Sequence, residues 1–319
     1  MPTMLLPFEL KKRVSADDAC SVLDLLSKQA KEAFQKSPHV TDYIQRLPIE
    51  NYGIPKYYAT LDKTLAADKN PNFIYPSKGE VFIHIIGDQS DGRSVYIPIE
   101  PTSLINIGPL MAEIEKRLLD MAEELGSFSM KTFEDQSKAF GKCIDRIAGM
   151  NGSGADIKSA GMFAKKIKPL SLSPRQVRAI KYLIIRDKLG LGALDPVVND
   201  TYVEDISCSG TGVVFIEHKI FSSLKSSINF PTNEDLDEFV MRLAERVKRP
   251  VSVNSPIVDA TLPDGSRINI VYGTDVSKRG SNFTIRKFSE TPSSVTQLID
   301  GAHLITRWPP TWPSCWAKA

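Results

Sequence analysis

Short strand patterns and longer amphipathic helix patterns alternate along this chain. Both occur on each side of a stretch of small and polar residues around Gly152. Strand patterns are short apolar or alternating runs, whereas helix patterns repeat apolar residues every three or four positions. Before Gly152, strand patterns lie at residues 80–86 and 94–99, helix patterns at 16–34, 107–125 and 131–150, and a loop pattern at 51–76. We therefore expect a first α+β domain over residues 1–151.

The second half of the chain repeats this combination after a predicted linker at residues 152–165. Ser173 and Pro174 are typical of a helix start, and Gly190 is typical of a helix end, which predicts a helix through Leu189. A further helix is predicted at residues 234–248 with Asn233 as its N-cap, and strands are predicted at residues 203–208, 213–218, 226–230, 268–272 and 282–288. The fold class is therefore expected to be α+β, with two small domains (1–151 and 166–290) of mixed or antiparallel sheet packed with helices.

Composition and charge exclude several classes of protein. Of the 319 residues, 42% are hydrophobic and 24% are charged, and the net charge is only +2, which is typical of a globular chain and gives no indication of a nucleic-acid partner. No apolar run reaches the roughly 18 to 20 residues that cross a bilayer, so we expect a cytosolic protein. Neither the four cysteines nor the four histidines have the spacing of a metal site, so none is predicted.

Motifs that bind phosphate through a glycine-rich loop are absent. The nearest sequence runs from Gly152 to Ser159, but Ile157 occupies the place of the second glycine in the phosphate-loop pattern. Gly190 and Gly192 lack the third glycine of a dinucleotide fingerprint. We therefore expect no nucleotide site of either type.

Two arginines in the second half are the strongest candidates for binding an anion. Arg267 begins a predicted strand after a turn, and Arg286 lies near the end of the next one. Side chains alternate between the two faces of a strand, so Arg286 would share a polar face with Thr284 and, if the strands pair, lie beside Arg267. Planar guanidinium groups placed side by side suit a polyphosphate. The alternative is a charged, solvated sheet face.

Several separated motifs resemble the N-terminal region of type II and type IV secretion-system ATPases. They are GLGALDP at 190–196, VEDIS at 203–207, LPDGSR at 262–267 and FTIRKF at 283–288. The archaeal branch, whose ATPases drive assembly of archaella and type IV pili, is the most similar, because residues 80–86 and 96–101 also fit its first domain. The resemblance covers about residues 73–299.

This resemblance implies a hexameric motor in which nucleotide lies between the N-terminal region and a C-terminal RecA-like domain carrying the phosphate loop. Arg267, Arg286 and Arg279 would contact the phosphates, and Asp264 and Gly265 would shape the turn that aims Arg267. ATP and Mg²⁺ are the cofactors of the intact family, and none is expected to bind tightly here. The expected partners are the chain's own ATPase domain, five further copies of the chain and a membrane platform protein, and no nucleic acid is expected to bind. The expected location is cytoplasmic, beside the membrane secretion machinery.

This chain departs from the family where the RecA-like domain should begin, so we expect no catalytic residues and no ATP hydrolysis by the chain alone. Residues 291–319 form an aberrant tail in which Trp308, Trp312 and Trp316 have helical spacing but Pro309, Pro310 and Pro313 forbid a helix. A shifted reading frame permits a good helix there, which gives the hypothesis of a frameshifted or truncated gene with native sequence ending near Asp300 or Gly301. An unbroken reading frame in independently sequenced DNA would refute it.

Two other functions stay open at this stage. The chain could be a stand-alone adaptor that docks onto such a motor or its membrane platform, or an unrelated nucleotide-binding regulator. ATP binding that depends on Arg286 would distinguish the regulator from the adaptor.

Overall fold

A mixed β-sheet connects strands from both predicted domains. The computed structural model describes residues 2–11, 22–68, 70–88, 92–127, 132–149 and 169–288. The predicted linker and the predicted tail lie outside these ranges, and so does the boundary near Gly152. The division into two domains therefore stays a prediction, and the predicted α+β class is confirmed.

In the described sheet, strands from the two halves of the chain pair with each other in two places. They are β1 Thr3–Met4, β2 Lys56–Tyr57, β3 Asn72–Pro76, β4 Phe82–Gly87, β5 Ser94–Ile99, β6 Val203–Cys208, β7 Gly212–His218, β8 Ser222–Phe230, β9 Ile257–Thr261, β10 Arg267–Val271 and β11 Asn282–Arg286. Their order is β2-β3-β4-β5-β8-β7-β6-β11-β10-β9, with β1 paired to β8. Both places are on β8: β5 runs parallel to it, with Val95 opposite Lys225 and Tyr96 opposite Ser226, and β1 pairs with it in the antiparallel direction.

Helices cover the sheet and form a separate layer beside it. They are α1 Lys28–Phe34, α2 Pro38–Arg46, α3 Ile49–Tyr52, α4 Gly108–Asp120, α5 Ala122–Ser127, α6 Phe133–Ile147, α7 Pro174–Ile184, α8 Asp195–Val198 and α9 Asn233–Arg246. A π-helical segment, Ile185–Leu189, continues α7, and Gly190 closes it by donating its N–H to the carbonyl of Ile185. None of the helices in the described part of the chain has the length and hydropathy needed to cross a bilayer.

Local sequence signals explain where several helices begin. At Ser173 the side chain accepts the N–H of Gln176 while the Gln176 side chain accepts the N–H of Ser173, which is a capping box ahead of Pro174. Two predictions are wrong here. The helix predicted over 16–34 is not continuous, because Ser27 is extended and caps a new helix at Lys28, and Thr232 rather than Asn233 caps α9.

The prediction of a loop over residues 51–76 is also wrong. This segment contains β2, β3 and a 3₁₀ turn at Lys63–Ala67, and β9 has no counterpart among the predicted strands. The strand β3 has the sequence NFIYP and is buried at its three central residues, so its apolar run is short and ends in proline. Its strand conformation depends on pairing with β4 over five residues. Such long-range interactions cannot be predicted from a local sequence pattern.

The largest apolar core lies under one face of the sheet and combines both halves of the chain. Ile83 and Tyr96 from the first half pack in the same cluster as Ile268 and Ile285 from the second. The α9 side chains Leu236, Val240 and Leu243 complete this cluster and cover that face. The opposite face of β10 and β11 is open, because every second residue there is exposed.

Candidate functional site

Arg267 and Arg286 are direct neighbours on the open face of the sheet. Strands β10 and β11 are antiparallel, and their register places Arg267 opposite Arg286 and Asn269 opposite Thr284. These four residues are exposed, while Ile268, Ile270, Phe283 and Ile285 between them are buried. The two strands pair, which is the condition under which the sequence places Arg286 beside Arg267. Side chains directly opposite each other have Cβ atoms about 5 Å apart, so both guanidinium groups can reach one anion.

A tight turn leads from β9 into Arg267. The Asp264 carboxylate accepts hydrogen bonds from the Ser266 N–H at 3.1 Å and from the Ser266 hydroxyl at 2.7 Å. Gly265 has a φ of +86°, in the left-handed region that favours glycine. Leu262 donates its N–H to the Ser266 carbonyl at 2.8 Å, which closes the turn at the point where β10 begins. The turn therefore fixes where Arg267 enters the sheet.

Arg286 has an acidic partner on the neighbouring strand. Its Nε atom donates to Oδ1 of Asp205 at 3.1 Å, and the strand register places these two residues opposite each other. The Arg286 side chain is 76% exposed and that of Asp205 is 34% exposed, so water screens this ion pair. Asp205 lies in the VEDIS motif at residues 203–207. It was not identified as a site residue from the sequence, although this motif could have indicated it.

Arg279 is not beside the other two arginines. It lies in the loop that precedes β11, and the run of β11 from Asn282 to Arg286 alone separates the two ends by about 13 Å. The loop is held tightly: an added Cβ on Gly280 would lie 2.7 Å from Oδ1 of Asn233, and one on Gly210 would lie 2.6 Å from the Arg279 carbonyl. The structure thus brings together Arg267 and Arg286 and leaves Arg279 at the other end of the strand.

A buried polar cluster lies behind the site, and sequence reasoning missed it. Asp200 is buried, and its Oδ2 accepts hydrogen bonds from the Tyr75 hydroxyl at 2.6 Å and the Tyr96 hydroxyl at 2.8 Å. Its Oδ1 accepts the Tyr202 N–H at 2.9 Å, and its backbone carbonyl accepts the Lys287 ammonium next to Arg286. Burial raises the pKa of Asp200, opposed by these hydrogen bonds. Tyr75 and Tyr96 are 125 and 104 residues from Asp200 in sequence, so no local pattern indicates their contact with it.

Two of the described histidines, His84 and His218, have hydrogen-bond partners within the fold. His84 is buried, its Nδ1 lies 2.9 Å from the Tyr43 hydroxyl, and its Nε2 lies 2.8 Å from Oδ1 of Asn72. Nδ1 of His218 accepts the N–H groups of Ile220 and Phe221. In the described ranges, no three His, Cys, Asp or Glu side chains form a group that could hold a metal ion.

A cavity of about 230 Å³ lies elsewhere, between β1, the Gly190 loop and α9. Three arginines contribute to its lining, but two already have several partners. Arg186 binds Glu100 and Asp187, and Arg246 donates to the backbone carbonyls of Gly190 and Asp187. These two guanidinium groups therefore already bind other parts of the fold, whereas Arg267 makes no ion pair within the described residues.

Comparison with known proteins gives relatives but no family. No protein-family model matches the chain. The chain is 37% identical over 281 residues to Uncharacterized protein MJ0900 of Methanocaldococcus jannaschii. The matched region covers 87% of this chain and 50% of that protein. It is 42% identical over 97 residues to Uncharacterized protein MJ1288 of the same organism, covering 30% of this chain and 38% of that protein. The chain thus spans about half the length of the relative that it matches over most of its residues.

One solved structure shows a weak, partial likeness. It is the crystal structure of the VirB11 ATPase from the Brucella suis type IV secretion system in complex with sulphate. The match covers 36% of this chain and 36% of that chain, with 24% identity and a TM-score of 0.31.

Proposed function

We propose that this chain is the N-terminal, nucleotide-contacting but non-catalytic region of an ATPase that powers a secretion system, an archaellum or a type IV pilus. In this proposal, the nucleotide and Mg²⁺ are held mainly by a RecA-like domain, and Arg267 and Arg286 contact the phosphates from this chain. The motor would be a hexamer that acts on a membrane platform protein. The VEDIS, LPDGSR and FTIRKF motifs support this proposal, and the archaeal origin of the relatives supports the archaeal branch.

The observation that carries the proposal is the cross-strand pair of arginines on an open sheet face. Like charges directly opposite each other destabilise a sheet, so the fold itself gains nothing from placing Arg267 against Arg286. A polyphosphate reverses this effect, because its oxygens accept hydrogen bonds from both guanidinium groups at once. The pair would then stabilise negative charge that develops on the terminal phosphoryl group during transfer.

Replacing either arginine should weaken phosphate binding without harming the fold. We expect the R267A and R286A variants to bind ATP and inorganic tripolyphosphate at least tenfold more weakly than the wild-type chain, whose own binding is weak. The free energy of unfolding should stay unchanged or rise slightly in R267A, since the repulsion is removed. Isothermal titration calorimetry at fixed, low salt measures the binding, and urea unfolding measures the stability.

Arg249 provides a matched control for these variants. It is exposed and follows α9, the helix that covers the opposite face of the sheet. The R249A variant removes the same charge but should bind tripolyphosphate as the wild-type chain does. Equal losses of tripolyphosphate affinity in all three variants would show that net charge alone explains the effect. No detectable binding by the wild-type chain would contradict the proposal and favour the adaptor.

A further inference from the structure

The two arginines of the pair differ in their surroundings. Arg286 has a carboxylate partner, Asp205, whereas Arg267 makes no ion pair within the described residues. In the register of the sheet, Thr261, Arg267, Arg286, Asp205 and Glu217 follow one another across β9, β10, β11, β6 and β7. Charge along this row therefore changes from positive to negative between Arg286 and Asp205.

A β-bulge places Asp205 in this row. Val203 lies opposite His218 and Asp205 lies opposite Glu217, so Glu204 is an extra residue in β6. Because side chains alternate along a strand, the extra residue changes which face the following side chains occupy. The Lys287 N–H donates to the Glu204 carbonyl at 2.8 Å, which keeps the bulged residue bonded to the chain that follows Arg286. Asp205 is thereby set opposite Arg286 and beside a second acid, Glu217.

We propose that Asp205 is an internal counter-ion of Arg286 that a polyphosphate must displace, so that Asp205 lowers the affinity of the arginine pair for phosphate. This inference rests on the proposed function. Without ligand, Asp205 offsets the repulsion between Arg267 and Arg286. With ligand, the phosphate oxygens take over that role, and the Asp205–Arg286 pair is lost. Any free energy that this pair contributes to the empty protein is therefore subtracted from binding.

Chemistry and exposure support an exchange of partners. The contact uses a single nitrogen, Nε, and the Arg286 side chain is 76% exposed, so the guanidinium group can turn toward a ligand. A screened surface pair of this type is weak, which sets the expected size of the effect at a few-fold in affinity. Glu217 would repel the freed Asp205, which further favours the paired state of the empty protein.

The test compares two carboxylates on the same face. Asp259 of β9 lies opposite Asn269, is exposed, and has no ion pair within the described residues. We expect the D205N variant to bind inorganic tripolyphosphate about threefold to fivefold more tightly than the wild-type chain, and the D259N variant to stay within about twofold of it. Since asparagine can still accept a hydrogen bond from Nε, the Asp205→Ser variant repeats the test with that contact removed.

A double variant separates competition from general repulsion. In a chain that already carries the R286A substitution, adding D205N should no longer tighten binding, because Arg286 is the group for which Asp205 competes. Equal tightening in D205N and D259N, tightening that persists without Arg286, or weaker binding in D205N would each overturn the inference while leaving the proposed function intact. If R286A does not weaken tripolyphosphate binding, the proposed function itself fails.

Discussion

Replacing Asp200 by alanine is expected to lower the free energy of unfolding by about 3–5 kcal/mol, since it removes the buried acceptor of three hydrogen bonds. The Tyr75 and Tyr96 hydroxyls, which both donate to Oδ2, would lose this acceptor inside the core, and the Tyr202 N–H would lose its acceptor, Oδ1. Tyr75 and Tyr96 lie in β3 and β5, whereas Asp200 precedes β6, so the loss would act between the two halves of the sheet. Urea unfolding followed by circular dichroism measures this change.

The tyrosines provide graded controls for this prediction. Tyr75→Phe and Tyr96→Phe each remove one donor and leave the carboxylate with its remaining partners, so each should cost about 1–2 kcal/mol. The Asp200→Asn variant retains a side-chain acceptor and should lie between these variants and alanine. A loss below about 1 kcal/mol in Asp200→Ala would show that the carboxylate does not join the two halves of the sheet.

Acid is expected to destabilise the protein between pH 6.5 and about pH 4. Burial lowers the pKa of His39 and His218 to about 4 and that of His84 to about 3, from an ordinary value of 6.5. Over that interval the unfolded chain binds protons that the folded chain does not, so stability falls as the pH falls. Each histidine can contribute up to about 1.4 kcal/mol per pH unit. Chemical unfolding at a series of pH values measures the slope.

Buried carboxyl groups act in the opposite direction. Burial raises the pKa of Glu100, Asp195 and Asp200, so these groups favour folding at low pH and their contribution is lost as the pH rises. A His84→Gln variant isolates one histidine, because it removes the titrating ring, and its slope should be smaller than that of the wild-type chain. A slope in His84→Gln equal to or steeper than that of the wild-type chain would contradict the account of this histidine.

Local patterns predicted those parts of the fold that depend on residues close in sequence. Ser173 and Pro174 predicted the start of α7, and the strand at residues 94–99 was predicted with its observed bounds, because capping and apolar runs are encoded within a few positions. The strands β3 and β9 were missed because neighbouring strands stabilise them. The break at Ser27 was missed because the apolar spacing continues across it.

The same limit applies to the candidate site. Alternation along β11 correctly predicted that Arg286 shares a face with Thr284, and the residues around Asp264 predicted a turn leading into a strand that starts at Arg267. The bulge that sets Asp205 opposite Arg286 depends on the register between β6 and β7, which alternation within one strand does not determine. The VEDIS motif contributes to the resemblance to secretion ATPases, but that resemblance implies no role for Asp205.

The most direct test of the central claim is an NMR titration of the chain, ¹⁵N-labelled at arginine, with ATP. The Nε–Hε signals report each guanidinium group separately, and the R267A and R286A variants assign the two signals of the pair. We predict that the largest shifts occur at Arg267 and Arg286, and that Arg186, Arg246 and Arg249 change little. Shifts confined to other arginines, or no shift at Arg267 and Arg286 at saturating ATP, would contradict a phosphate-contacting role for this sheet face.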